Sequence, residues 1–229
     1  MNGKGKGHRR TARLVLVVFF LALTVFACTT TRLSQFKKHW NKQEFSWIAE
    51  QKVSCTASDE GCNQLHLIKG DACYRLAKKD QASIQYYDCA ATHLGIGIEQ
   101  TQQWQMEGFN LNRPQTYENL CEALRNWRDL EKGSKADQIN QGLLNTAQGF
   151  LAAEPGNLAA VYFLENAQYA MLGPCLLHPE RCPSLCNDLT SILGDISRNV
   201  SRSKGTRYGS SYEVLIKEIT KEKELARCP

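Results

Sequence analysis

Apolar residues follow two regimes along this chain. From Leu14 to Ala27 they form one run, interrupted only by Thr24, which stops at Cys28 before Thr29-Thr30-Thr31. Beyond that point they recur every three or four positions, the period of a helix with one buried face. No stretch shows the sustained alternation of a half-buried strand. The pattern predicts an irregular amphipathic helix over 36–53, with Phe36, Trp40, Phe45, Trp47, Ile48 and Val53 set among charges. A polar loop at 54–63 carries Cys55 and Cys62 near its two ends. A helix pair follows at about 64–77 and 81–94, turning at Lys78-Lys79-Asp80 and ended by Gly95 and Gly97. An amide-rich connector, 99–113, leads to Pro114, which suits the first turn of a helix over 114–131. Helices at 136–153 and 158–172 flank the stop Glu154-Pro155-Gly156-Asn157. A Pro- and Cys-rich loop at 173–183, a helix at 184–200, a linker at 201–210 and a helix at 211–227 complete an all-α chain.

The first run changes the picture most. It is preceded by Lys4, Lys6, Arg9, Arg10 and Arg13 with no acid, the layout of a secretory signal. Fourteen residues at about 1.5 Å each fall short of a bilayer core of roughly 30 Å. Val25-Phe26-Ala27-Cys28 resembles the lipobox of bacterial lipoproteins, with Phe26 where that pattern prefers a smaller or β-branched residue. The resemblance implies a signal over 1–27, a diacylglycerol on the Cys28 sulfur, and a tether over 28–35 before a domain over 36–229. Thr29 in place of Asp implies the outer membrane, facing the periplasm. Val25-x-Ala27 also suits ordinary signal cleavage, which would leave Cys28 unmodified.

Removing the signal alters the charge reading. The chain carries a net +5, and the leader holds five basic groups and no acid, so the remainder is neutral. The basic character thus belongs to the leader and supports no nucleic-acid partner. About 200 residues remain, enough for one domain with a real core.

Ten cysteines fit an exported chain whose thiols oxidise. In a hairpin turning near residue 79, facing residues have numbers summing to about 158, which sets Cys73 nearly opposite Cys89. Cys55 and Cys62 bracket one loop, Cys175 and Cys182 another, and Cys186 with Cys228 would hold the last helix. Cys121 faces a position near Thr146 and is left as a buried free thiol. Cys175-x2-His178-x3-Cys182-x3-Cys186 has the donors of a zinc site, but oxidation of closely spaced thiols favours disulfides, so no metal is assigned. His39, His66 and His93 sit singly on helices, and no G-x-S-x-G, H-E-x-x-H, P-loop or G-x-G-x-x-G occurs. The chain offers no catalytic set and no cofactor motif, so a non-enzymatic role is expected.

Gly70, Ala82, Tyr86 and Cys89 carry a further resemblance, as does Phe150-Leu151-Ala152-Ala153-Glu154-Pro155-Gly156-Asn157. Both are similar to the tetratricopeptide (TPR) repeat, in which small residues sit where paired helices cross. Lys69 and Glu165 depart from its leucine and glycine. Over about 64–172 the resemblance implies antiparallel helix hairpins stacked as a right-handed superhelix whose concave face binds protein partners. Trp40, Phe45 and Trp47 read as an end cap, whereas Trp104 and Phe109 read equally as cap or as groove lining. The expected function is a lipid-anchored scaffold for envelope proteins. The alternatives are a small-ligand-binding partner of a periplasmic transport system and, third, an enzyme.

Overall fold

The computed structural model describes residues 31–54, 59–81, 83–102, 104, 108–109 and 111–228. Cys28, Cys55 and Ala82 lie outside them, as does the signal over 1–27. The described residues are all-helical. After a helix over 31–41 (α1) come α2 (Phe45–Glu50), α3 (Glu60–Lys79), α4 (Ile84–Gln100), α5 (Arg113–Leu130), α6 (Gly133–Ala153) and α7 (Leu158–Met171). A short α8 (Gly173–Leu177) and a 3-10 turn (Pro179–Arg181) precede α9 (Leu185–Ser203) and α10 (Gly209–Leu225). None of these helices is long and apolar enough to cross a membrane.

Helix starts follow from side chains that satisfy orphan N–H groups. Asp59 accepts from Gly61 N, Asn112 from Gln115 N ahead of Pro114, and Asn157 from Ala159 N and Ala160 N. From α2 to α8 each helix packs on the next, as does α9 on α10, and alternate helices also touch: α3 on α5, α5 on α7 and α7 on α9.

The tightest approach is between α3 and α4. A Cβ on Gly70 would stand 2.6 Å from Leu94 N, and one on Gly97 would stand 2.4 Å from Leu67 Cδ2. Each helix thus presents a glycine to the other's leucine. One turn further on, the Cys73–Cys89 disulfide spans a Cα–Cα distance of 5.9 Å. Gly95, two residues before Gly97, meets nothing within 4 Å.

Several expectations are corrected. Gly95 and Gly97 do not end the second helix; α4 runs through both to Gln100, because Gly97 is a contact site. The helix expected over 36–53 is broken by Gln43 at φ 58°, separating α1 from α2. Residues 31–35, read as tether, are helical, and Leu33 packs on the first core cluster. Tyr86 packs half-buried against the α3–α4–α5 cluster, while its neighbour Tyr87 fills the interior position, at 2 % exposure. Pro155 is exposed in the turn before α7, ending α6 without packing between helices. Lys69, which departs from the repeat's leucine, is nevertheless buried, and its Nζ donates to Gln51 O at 2.6 Å.

Three contiguous clusters make the core. Phe36, Phe45, Ile48, Leu65 and Ile68 close the N-terminal end. Trp104 and Phe109 join this cluster, with Phe109 edge-on to Trp40 at 5.6 Å, so both aromatic groups serve as one cap. Cys73, Tyr87 and Ala123 hold α3, α4 and α5 together. The largest cluster runs from Leu94 through Phe150 and Phe163 to Ile219. Its far end is stapled by Cys175–Cys182 and by Cys186–Cys228, which ties the start of α9 to the residues after α10. Cys62 is disulfide-bonded to a partner outside the described residues.

The glycine contacts predict a sharp contrast within α3 and α4. Gly70→Ala should lower stability by about 1–3 kcal/mol, because its clash is with backbone, and Gly70→Leu by more. Gly95→Ala should instead raise it by up to about 1 kcal/mol through helix propensity. Urea unfolding checks both; equal midpoints for the Gly70 and Gly95 variants would show that the crossing is not close.

Candidate functional site

The side-by-side run of α3, α5 and α7 gives them one shared face. On α5, Glu118, Glu122, Arg125 and Asp129 recur at intervals of four, three and four, which places them on a single stripe. The stripe looks toward Tyr74 and Lys78 of α3 on one side. On the other it meets Tyr162 of α7 and the turn before α10. Tyr74 donates to Glu122 Oε2 at 2.8 Å and Lys78 to Glu122 Oε1 at 3.1 Å. Arg207 lies 2.6 Å from Glu118 and 3.6 Å from Glu122, and its guanidinium donates to the Tyr208 hydroxyl at 2.6 Å. Burial would raise Glu122, but these hydrogen bonds and cations outweigh it and hold the carboxyl below its ordinary value. For Glu118 burial prevails over Arg207 and the value is raised.

Two open cavities flank the stripe. One of about 340 Å³ lies between Lys78, Gln81, Tyr87 and the Glu122–Leu130 face of α5. The other, of about 260 Å³, lies between Arg125, Asp129, Tyr162 and the Ser210–Glu218 face of α10. Arg125 and Asp129 form their common wall. Arg125 donates through Nη1 to the Tyr162 hydroxyl at 2.9 Å and through Nη2 to Asn126 Oδ1 at 3.1 Å, while Asn126 donates to the Tyr87 hydroxyl at 3.3 Å. The groove is therefore a surface of fixed charges and hydroxyls, suited to recognition by complementary polar groups.

Of the residues singled out from sequence, Gly70 and Cys89 lie in the α3–α4 contact, away from this groove, and Pro155 lies in the turn before α7. The three sulfurs of the Cys175–Cys186 arrangement are all in disulfides, which removes them as ligands. Among the described residues, no three His, Cys, Asp or Glu side chains are grouped to hold a metal. His66 and His93 are not single: their Nδ1 atoms are 2.7 Å apart across α3 and α4. Burial, then the charge of Lys69, lowers both, His93 to about 4, so at neutral pH one uncharged ring donates to the other. His39 stacks on Trp47 at a centroid distance of 3.6 Å.

No family model matches the chain, and no solved structure matches it. A curated relative, "ATP-dependent protease ATPase subunit HslU" of Lactobacillus johnsonii, is 27 % identical over 125 residues. That match covers 55 % of this chain and 23 % of the relative.

Two buried groups outside the groove have measurable behaviour. Cys121 is a free thiol with no exposure, and burial, then the nearby Glu118 charge, pushes its pKa far up. Iodoacetamide should therefore label Cys121 only after denaturation; labelling of the folded protein would place that thiol at the surface. Glu165 of α7 is buried against α9 with Oε2 lacking any hydrogen-bond partner, and burial, then Asp195, raises it to about 7 against the opposing Arg198. From its ordinary value up to about 7 the folded state holds a proton that the unfolded chain has lost. Stability should thus fall as pH rises through that window and level off above it. Glu165→Gln should remove this fall, raising Tm at alkaline pH by about 2–4 °C per kcal/mol recovered. Parallel Tm–pH curves for the two proteins would refute it.

Proposed function

We propose that this chain is a non-enzymatic adaptor, built of TPR-like helix pairs and held by a lipid on Cys28 at the periplasmic face of a bacterial outer membrane. There it binds protein partners of an envelope complex. The observation that carries the reading is the contact of alternate helices α3, α5 and α7, which border one groove together with Tyr87 of α4 and the Ser210–Glu218 face of α10. Stacked helix pairs generate extended binding surfaces in this manner. Export is supported by the leader and by the oxidised cysteines, since such bonds persist outside the reducing cytoplasm. The two cavities sit near the lower limit of small-molecule sites and are lined by charged side chains instead of an apolar wall. That favours a protein surface over a carried small ligand in this groove. The partial likeness to an ATPase subunit adds no nucleotide-binding role, because the chain has no P-loop sequence.

Anchoring and adaptor role are tested together in cells. Cys28→Ala should lose incorporated fatty acid and detergent partitioning and accumulate precursor, because several acyl chains give the stable attachment that one cannot. Photo-crosslinkers on the groove face of α5 should trap a discrete protein partner, whereas the same groups on the outer face of α6 should not. Normal mature mass and membrane association in Cys28→Ala would overturn the anchor. Equal crosslinking from both faces would overturn the groove.

A further inference from the structure

Arg125 stands out among the groove's charges. Its neighbours are paired: Lys78 with Glu122, Arg207 with Glu118 and Glu122, and Asp129 with Arg128 at 2.7 Å. Arg125 has no carboxylate within ion-pairing distance among the described residues, although it is half-buried. It is held by neutral acceptors alone. Nε and Nη2 share Asn126 Oδ1, at 3.4 and 3.1 Å, and Nη1 reaches Tyr162. The Tyr162 and Phe163 rings lie 5.8 and 5.9 Å from the guanidinium carbon. A guanidinium has five N–H donors in a rigid fork. Three are engaged here, which leaves two at a position that borders both cavities. Holding a cation fixed while leaving its charge uncompensated is the arrangement that binds a carboxylate well, because little ordering remains to be done on binding.

The second cavity carries an opposite feature. Glu218, exposed on α10, lines it with no cation within ion-pairing distance among the described residues, beside the hydroxyls of Ser210 and Ser211. Asp129 and Glu218 on the rim disfavour a purely acidic ligand, whereas a basic group next to an acidic one would satisfy both. We infer that the groove recognises an extended peptide segment of mixed charge, with an acidic side chain on Arg125 and a nearby basic side chain on Glu218. This rests on the adaptor reading and names the chemistry of its partner.

The test uses the full-length protein in detergent and immobilised, end-blocked Ser/Ala peptides. They carry one Asp, one Lys, both within three residues of each other, or neither; a further neutral peptide has a free C-terminus. The Asp/Lys peptide should bind at least about tenfold more tightly than the neutral one, with affinity falling as salt rises. Arg125→Gln should abolish most of that preference and Arg125→Lys should retain part of it, because charge remains while the fork is lost. Glu218→Gln, on an exposed position that leaves the core untouched, should erase only the gain from Lys. The inference is overturned by equal binding of charged and neutral peptides, by best binding of the free C-terminus, or by no effect of Arg125→Gln on a peptide that does bind. If Arg125→Gln leaves groove crosslinking to the cellular partner intact, the inference fails while the adaptor reading stands. Loss of groove-specific crosslinking in the unmutated protein defeats the adaptor reading itself.

Discussion

The reciprocal insertion of Leu94 over Gly70 and Leu67 over Gly97 fixes how closely α3 and α4 lie, and the rest of the molecule is built on that spacing. Helix axes ordinarily sit roughly 8–10 Å apart, and side chains set the distance. With no Cβ at either crossing point the two backbones approach until Cα atoms of Cys73 and Cys89 fall within disulfide range. The closed pair then offers α5 a shallow trough between them. α5 meets the pair through Ala123, which is buried in one cluster with Cys73 and Tyr87, and a buried hydrogen bond from Asn119 to Asp71 at 2.8 Å fixes its height. Asp71 is raised by burial and partly rescued by Arg75, which in turn stacks over Trp40 and Phe45. The N-terminal cap, the hairpin and α5 are thus joined through one buried carboxylate.

How much of this was legible depends on which physical signal each feature leaves in the chain. Helix existence was legible because the apolar spacing, Pro114 at a first turn and the stop at Glu154-Pro155-Gly156-Asn157 are local signals. The hairpin register was also legible. The arithmetic that sets Cys73 against Cys89 likewise sets His66 against His93, a pair missed because the histidines were weighed one at a time. The glycines at 95 and 97 read as a stop since glycine is poor in helices, yet Gly97 is retained for a contact made 30 residues away. Only tertiary information separates the two roles. Tyr86 and Tyr87 differ by one position, about 100° around the helix, and no local signal decides which one turns inward.

The groove was invisible for a different reason. Glu118, Glu122, Arg125 and Asp129 form a clean stripe, but an α5 surface facing water would show the same spacing. What makes the stripe a site is its company. Tyr74, Tyr162 and Arg207 arrive from positions 44 before to 89 after Glu118, and none carries a motif. Polar surfaces of this type have composition without signature, so they emerge only when the helices are placed.

The far wall of the groove depends on oxidation. α10 packs through Tyr212, Leu215 and Ile219 on α7 and α9, and Tyr212 donates to Leu158 O at 2.8 Å. The Cys186–Cys228 bond closes a loop of 42 residues across α9 and α10 and restricts the unfolded chain over that whole stretch. At the other end of α10, Tyr208 is buried against Tyr162 and Phe163 while Arg207 bridges to Glu118 and Glu122. The helix is consequently pinned at both ends, covalently at one and by aromatic packing with ion pairs at the other. Exposed ion pairs alone contribute little, so the buried Tyr208 ring is what orients Arg207 and allows its charge to matter. Tyr162 completes the logic: it packs on Tyr208 and Tyr212 and also accepts from Arg125. The same ring therefore couples the position of the α10 wall to the orientation of the guanidinium between the two cavities.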